Sequence, residues 1–187
     1  MKGCVTMPLP KEQLYTVEDI YKLPDGQRAE LIDGVIYDMA PPSRMHQKLV
    51  SELTQTIGTY IKSQGGSCDV YPAPFAVFLN KDDKTYVEPD ISVICDKNKL
   101  SDRGCEGAPD WIIEIVSPSS QYRDYLVKLL KYRTSGVREY WIINPMSKTV
   151  QVYYFDVEEN SCQYTFDETI KVGIYNDFEI CTADLLK

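Results

Sequence analysis

Trp111-Ile112-Ile113-Glu114-Ile115-Val116 is an unbroken run of apolar, mostly β-branched residues with one acid in its middle. Such a run reads as a strand buried on both faces. Alternation sets Glu114 on one face with Ile112 and Val116. A carboxylate there must be ion-paired, protonated or bound to metal, because burying it unpaired is costly. Glu88-Pro89-Asp90-Ile91-Ser92-Val93-Ile94 repeats the theme, with Asp90 on the face of Ser92 and Ile94. If the two strands are neighbours, Asp90 and Glu114 converge on one hard divalent cation, which prefers oxygen ligands. The plainer alternative is a glutamate salt-bridged for structure or lying on a solvated edge strand.

Downstream of Glu114, Ser117-Pro118-Ser119-Ser120 leads into a helix predicted from about Tyr122 to Thr134, stopped by Ser135-Gly136. At helical spacing Asp124, Lys128, Lys131 and Ser135 share one stripe, and Tyr122, Leu126, Leu129 and Leu130 lie opposite. Residues 119–140 carry five basic side chains (Arg123, Lys128, Lys131, Arg133, Arg138) against Asp124 and Glu139, a local +3 in a chain of net charge −8. Read plainly, this is a solvated helix face with an Asp124–Lys128 pair worth a few tenths of a kcal/mol. Read functionally, the helix starts beside the carboxylates and can deliver a lysine to them.

Further out, Thr16 and Asp19 resemble a helix cap opening a short helix through Tyr21. Asp33-Gly34 between Ala29–Ile32 and Val35–Met39 predicts a β-hairpin with a type I′ turn. Leu49, Leu53, Ile57, Tyr60 and Ile61 predict an amphipathic helix from Met45 to about Gln64, which Gly65-Gly66 stops. Cys68–Leu79, interrupted by two prolines, has β character. Residues 96–110 read as a polar loop, and strands are expected at Glu139–Asn144, Thr149–Phe155 and Ser161–Phe166. Trp111 and Trp141 read as core. Helices and strands alternating irregularly predict an α/β mixed sheet with helices against it, in a single domain over 1–187.

The chain has 187 residues, 43% hydrophobic and 26% charged, enough to bury a core and to exclude wholesale disorder. No run of about 18 apolar residues predicts a membrane span. The acidic balance argues against indiscriminate polyanion binding while leaving room for a local basic patch. Six cysteines are scattered without a C-x-x-C pair, and Met1–Pro8 lacks the apolar core of a signal peptide. Six reduced thiols and a cytoplasmic location are therefore expected. His46 is the single histidine, which excludes a multi-histidine metal site.

Two carboxylates, a divalent cation and a nearby lysine form a coherent set for phosphodiester hydrolysis. The metal lowers the pKa of a bound water, and the lysine orients that water or stabilises developing charge. Ala29-Glu30-Leu31-Ile32-Asp33-Gly34, Glu88-Pro89-Asp90, Ala108-Pro109-Asp110-Trp111 through Ser119, and Asp124…Lys128…Tyr132…Gly136-Val137…Glu139-Tyr140-Trp141-Ile142-Ile143-Asn144-Pro145 resemble the Uma2 family. The likeness runs from about Tyr15 to Phe155. It implies a restriction endonuclease-like core of the PD-(D/E)XK superfamily, a central mixed sheet flanked by helices, with Mg²⁺ (or Mn²⁺) at the site.

By that resemblance Asp90 is the motif's first acid, Glu114 its second, and Glu30 a third metal ligand. The superfamily's lysine position holds Val116, and Lys128 on the following helix takes its place. Arg123, Lys131 and His46 are candidates for nucleic-acid contacts, with DNA the expected polymer. Homodimerisation is expected by superfamily analogy, and Tyr153, Tyr154 and Phe155 suggest a half-exposed strand that could support it. The rival is a catalytically inactive module that kept the fold to bind nucleic acid or regulate. A hydrolase of another phosphoester is a third reading.

Overall fold

A computed structural model describes residues 13–157 and 160–187. Cys4 and the chain's first segment lie outside the described residues. The predicted elements form where local chemistry placed them. Helix α1 (Val17–Tyr21) opens on Thr16, whose backbone N–H donates to Asp19 Oδ2 at 2.9 Å. Strands β1 (Ala29–Ile32) and β2 (Val35–Asp38) pair around Asp33 and Gly34, whose φ angles of 51° and 81° are those of the expected turn. Helix α2 (Arg44–Ser63) is capped by Ser43 and buries Leu49, Leu53, Ile57 and Ile61.

The central sheet is mixed. It contains β3 (Asp69–Pro72), β5 (Ile91–Ile94), β8 (Trp111–Ile115), β9 (Glu139–Asn144), β10 (Thr149–Tyr154) and β11 (Asn160–Thr165). Its spatial order is β11-β10-β9-β8-β5-β3, with β8 and β9 parallel and the other pairs antiparallel. One face packs against α2 and the C-terminal hairpin of β12 (Thr169–Lys171) and β13 (Glu179–Cys181). Trp111 and Trp141 are fully buried there, edge to face with centroids 5.0 Å apart. The opposite face carries Ile112, Glu114, Val116, Tyr140 and Ile142 under the second long helical segment.

Three expectations need correcting. Residues 96–110 are more than a polar loop. They contribute β6 (Leu100–Ser101) and β7 (Gly104–Glu106), which join β4 (Val77–Phe78) in a small sheet. Runs of two or three residues held by distant partners carry no usable periodicity. The helix after Ser120 is not α-helical throughout: Arg123–Lys128 is a π-helical stretch, continued by α3 (Leu129–Ser135). Wide turns of this kind concentrate at functional sites. Finally, Cys68 and Cys95 form a disulfide, so the expectation of six thiols fails. Antiparallel pairing sets Asp69 opposite Ile94, and the next residues outward are these two cysteines. That register is invisible at a separation of 27 residues. The cysteine pattern consequently no longer argues for a reducing compartment. No helix among the described residues is long and apolar enough to cross a membrane.

Candidate active site

Strands β5 and β8 are hydrogen-bonded neighbours with Ile91 opposite Ile113, so one step further Asp90 faces Glu114. Asp90 Oδ2 accepts from the Ile115 N–H at 2.7 Å, and the Asp90 N–H lies 3.5 Å from Glu114 Oε2. The two acids thus sit side by side at the end of the sheet, as the alternation pattern required. From the other face α2 contributes His46, one turn before Leu49 and Val50, with Nε2 3.1 Å from Asp90 Oδ2. Burial alone would lower the His46 pKa, but the hydrogen bond and charge of Asp90 outweigh it and raise it.

Glu114 is 4% exposed, and the groups that satisfy it come from the helix above. Its Oε1 accepts from Lys128 Nζ at 2.8 Å and from the Tyr132 hydroxyl at 2.7 Å. Lys128 is 3% exposed and also reaches Glu30 Oε1, 2.9 Å away, and Asp124 Oδ1, 3.8 Å away. Val116 is buried in the apolar cluster, so the strand itself brings no cation to Glu114. Lys128 supplies one from the helix instead. The solvated-face reading of Asp124 and Lys128 is wrong for the same reason: both point inward, and the apolar Tyr122, Leu126 and Leu130 point out. Asp124, Lys128 and Tyr132 recur every four residues along one stripe, the signal that could have identified Tyr132 from sequence.

Glu30 enters from β1 and is fully buried. Its Oε1 also accepts the Glu88 N–H at 3.0 Å, whereas Oε2 has no hydrogen-bond partner and lies 3.7 Å from Arg123 Nε. Arg123 is held near it with its guanidinium 5.5 Å from the Tyr37 ring centroid. Lys131 is not brought to the cleft and pairs with Asp33 at the hairpin tip. Arg28, which sequence reasoning did not single out, lines the cleft and pairs with Glu88.

These groups line a cleft of about 580 Å³, in which five carboxylates face three Lys or Arg side chains. One ammonium shared by Glu30, Glu114 and Asp124 leaves negative charge uncompensated. Burial, with Asp90, Asp124 and Glu30 nearby, pushes the Glu114 carboxyl up to about 8 despite Lys128. Burial likewise raises Asp124 against the pull of Lys128. Glu114, Glu30 and Asp124 hold Lys128 firmly cationic, although burial works against its charge. Desolvating these ions costs several kcal/mol each, and apolar packing of the same volume is often as stable. Stability alone is a poor reason for the arrangement.

A pH dependence follows. In the fold Glu114 keeps its proton to about 8, against 4.5 in an unfolded chain, so the folded state binds more protons across that window. Its contribution to folding stability must then fall as pH rises from about 4.5 to about 8. Denaturant titrations of metal-free protein should show this decline in wild type and a flatter profile in Glu114→Gln. Identical profiles for the two proteins would contradict the assignment.

The donor chemistry suits a hard divalent cation. Glu30 Oε2 is buried without a hydrogen-bond partner, no described residue donates to Asp90 Oδ1, and Glu114 Oε2 has only the 3.5 Å contact. Among the described residues no three acidic, histidine or cysteine side chains already surround one point. Asp90 and Glu114 are the adjacent pair, with Glu30 across Lys128.

Comparison with known proteins gives a consistent picture. The "Uncharacterized protein slr1290" of Synechocystis sp. is 24% identical over 150 residues, covering 79% of this chain and 76% of that protein. The crystal structure of "a putative nuclease belonging to DUF820" from Anabaena variabilis matches with a TM-score of 0.73 at 24% identity, covering 91% of this chain and 96% of that one. At that identity the likeness establishes the fold, a mixed α+β architecture. The model of a family described as "Uma2: Putative restriction endonuclease" matches residues 17–179.

Proposed function

The chain belongs to the Uma2 family, described as "Putative restriction endonuclease", and on that footing we propose that it is a Mg²⁺-dependent endonuclease hydrolysing phosphodiester bonds, with DNA as substrate. The observation that carries this reading is the adjacent Asp90–Glu114 pair, with Glu114 buried and Lys128 Nζ 2.8 Å from it. Asp90 and Glu114 would hold the cation, with Glu30 Oε2 as a further oxygen donor. Bound there, Mg²⁺ supplies a water of lowered pKa and positive charge against a phosphate oxygen.

The protein's own groups do the rest. Lys128 is a fixed ammonium in a water-poor pocket, where it orients the attacking water and opposes charge developing on the phosphate. Tyr132 and Lys128 both occupy Glu114 Oε1, which leaves Oε2 turned toward Asp90. Asp124 fixes Lys128 from its own helix. His46, 12% exposed at its side chain and lining the cleft, buttresses Asp90 and is placed to meet a phosphate oxygen. Arg123 is the second such donor, whereas Lys131 at the hairpin tip is too occupied with Asp33 to serve at the scissile phosphate.

A catalytically silent binding module is the second reading, favoured by the net charge of −8 and by the engagement of Arg28, Arg123 and Lys128 with carboxylates. Incubating purified protein with plasmid DNA, and separately with RNA, in Mg²⁺, Mn²⁺ or EDTA distinguishes the two. Cleavage of DNA abolished by EDTA is expected. Retention of either polymer without cleavage in any metal would overturn the enzymatic reading in favour of the module.

A further inference from the structure

Arg28 stands one residue ahead of β1, and the Met39 N–H donates to its carbonyl at 3.0 Å, extending the β1–β2 ladder by one pair. Alternation along this strand turns Ala29 and Leu31 toward α1, where they cluster with Val17, Ile20 and Tyr86. Arg28 and Glu30 therefore share the other face, and both line the cleft. Two strand residues on one face leave the backbone about 6.7 Å apart. Neighbouring phosphates along a nucleic-acid strand are separated by a similar distance.

The ion pair that Arg28 makes is lopsided. At the carboxylate end the Glu88 side chain is 9% exposed, whereas Arg28 is 40% exposed. The Tyr86 hydroxyl donates to Glu88 Oε1 at 2.6 Å, and Arg28 donates to Oε2 from Nε, at 2.9 Å, and from Nη2. Among the described residues nothing accepts from Arg28 Nη1. A guanidinium held by one edge keeps its remaining donors, in a fixed fork, for a second acceptor. The other cations of the cleft are more enclosed, Arg123 at 15% and Lys128 at 3%. Arg28 is thus the cation that an entering anion meets without rearrangement, and its anchoring removes much of the ordering cost of binding.

We propose that Arg28 binds the phosphate next to the scissile one on the same nucleic-acid strand, with Glu88 as its anchor. The assignment rests on the cleft being the nucleic-acid site proposed above. Glu30 belongs to the metal site placed at the scissile phosphate, and Arg28, two residues earlier on the same strand face, falls beside the neighbouring one. The cleft is otherwise acidic, so a flanking phosphate needs a counter-charge of its own. Arg28 supplies it from a position where its charge also keeps a second metal ion away.

Fluorescence anisotropy of a labelled DNA duplex in Ca²⁺, which takes the same oxygen donors as Mg²⁺, reads binding without requiring cleavage. Arg28→Met alone would leave Glu88 buried without its cation, so the informative pair is Glu88→Gln and the double variant Arg28→Met/Glu88→Gln. The double variant should bind at least about tenfold more weakly than Glu88→Gln, whatever the DNA sequence. Its plot of log affinity against log salt should be shallower by about 0.9, one phosphate contact fewer. Arg28→Lys, which keeps the charge and loses the fork, should retain the wild-type slope with only part of the affinity. Equal affinity and slope in Glu88→Gln and a folded double variant would overturn the proposal, as would a wild type that binds no duplex. Wild type that binds through Arg28 and cuts nothing would sink the nuclease reading and keep this contact. Cleavage by a protein whose salt slope ignores Arg28 would do the reverse, so the two can fail separately.

Discussion

Glu114→Gln should lower cleavage of DNA by at least about 10³-fold, because it removes the charge that holds the cation while keeping side-chain volume. The amide oxygen of glutamine can still accept from Lys128 and the Tyr132 hydroxyl, which donate to Glu114 Oε1 at 2.8 and 2.7 Å. The buried hydrogen bonds therefore survive and the fold with them. What is lost is the second oxygen, replaced by an NH₂ that only donates. Cleavage rates with matched amounts of folded wild type and variant measure the effect. Equal rates would show that chemistry occurs elsewhere.

Lys128→Met should produce a double loss. Methionine fills much of the lysine stem's space but leaves Glu30, Glu114 and Asp124 without the ammonium they share. Breaking such a buried arrangement from one side costs about 3–5 kcal/mol. Urea titration in EDTA should register that loss, and Mn²⁺ should return part of it by supplying the missing positive charge. Cleavage should fall about 10²–10⁴-fold even when metal is saturating, as expected for loss of a group that positions the reacting water. Stability and cleavage both like wild type would reduce Lys128 to a bystander.

Much of this was legible in the chain. Asp33-Gly34 announced its hairpin because two positive φ angles admit few residue types. Glu114 announced itself as an acid in an apolar strand, and antiparallel pairing placed Asp90 where alternation required it. The illegible parts depend on pairings across the fold. The Cys68–Cys95 disulfide needs the β3–β5 register, and the small sheet of β4, β6 and β7 is too short to show a period. The helical stripe was legible, and of its two readings the structure bears out the one that turns Asp124 and Lys128 inward. Hydrophobicity alone argues for burying Tyr122, Leu126 and Leu130, whereas the segment turns Lys128 inward to Glu30 and Glu114 and leaves those three exposed. Tyr132 was quoted in the family motif without a role, although its spacing of four from Lys128 places it on the same stripe, where its hydroxyl donates to Glu114. Residues beyond Phe166, which close the core around Phe178 and Ile180, carried no pattern to read.

The most direct test of the central claim is calorimetric titration of Mn²⁺ into wild type and into the Asp90→Asn/Glu114→Gln double variant, at a pH above about 8 where Glu114 has released its proton. Saturable binding by wild type that disappears in a folded double variant is the predicted result. Equal binding by both proteins, or none by wild type, would contradict a metal site built on Asp90 and Glu114.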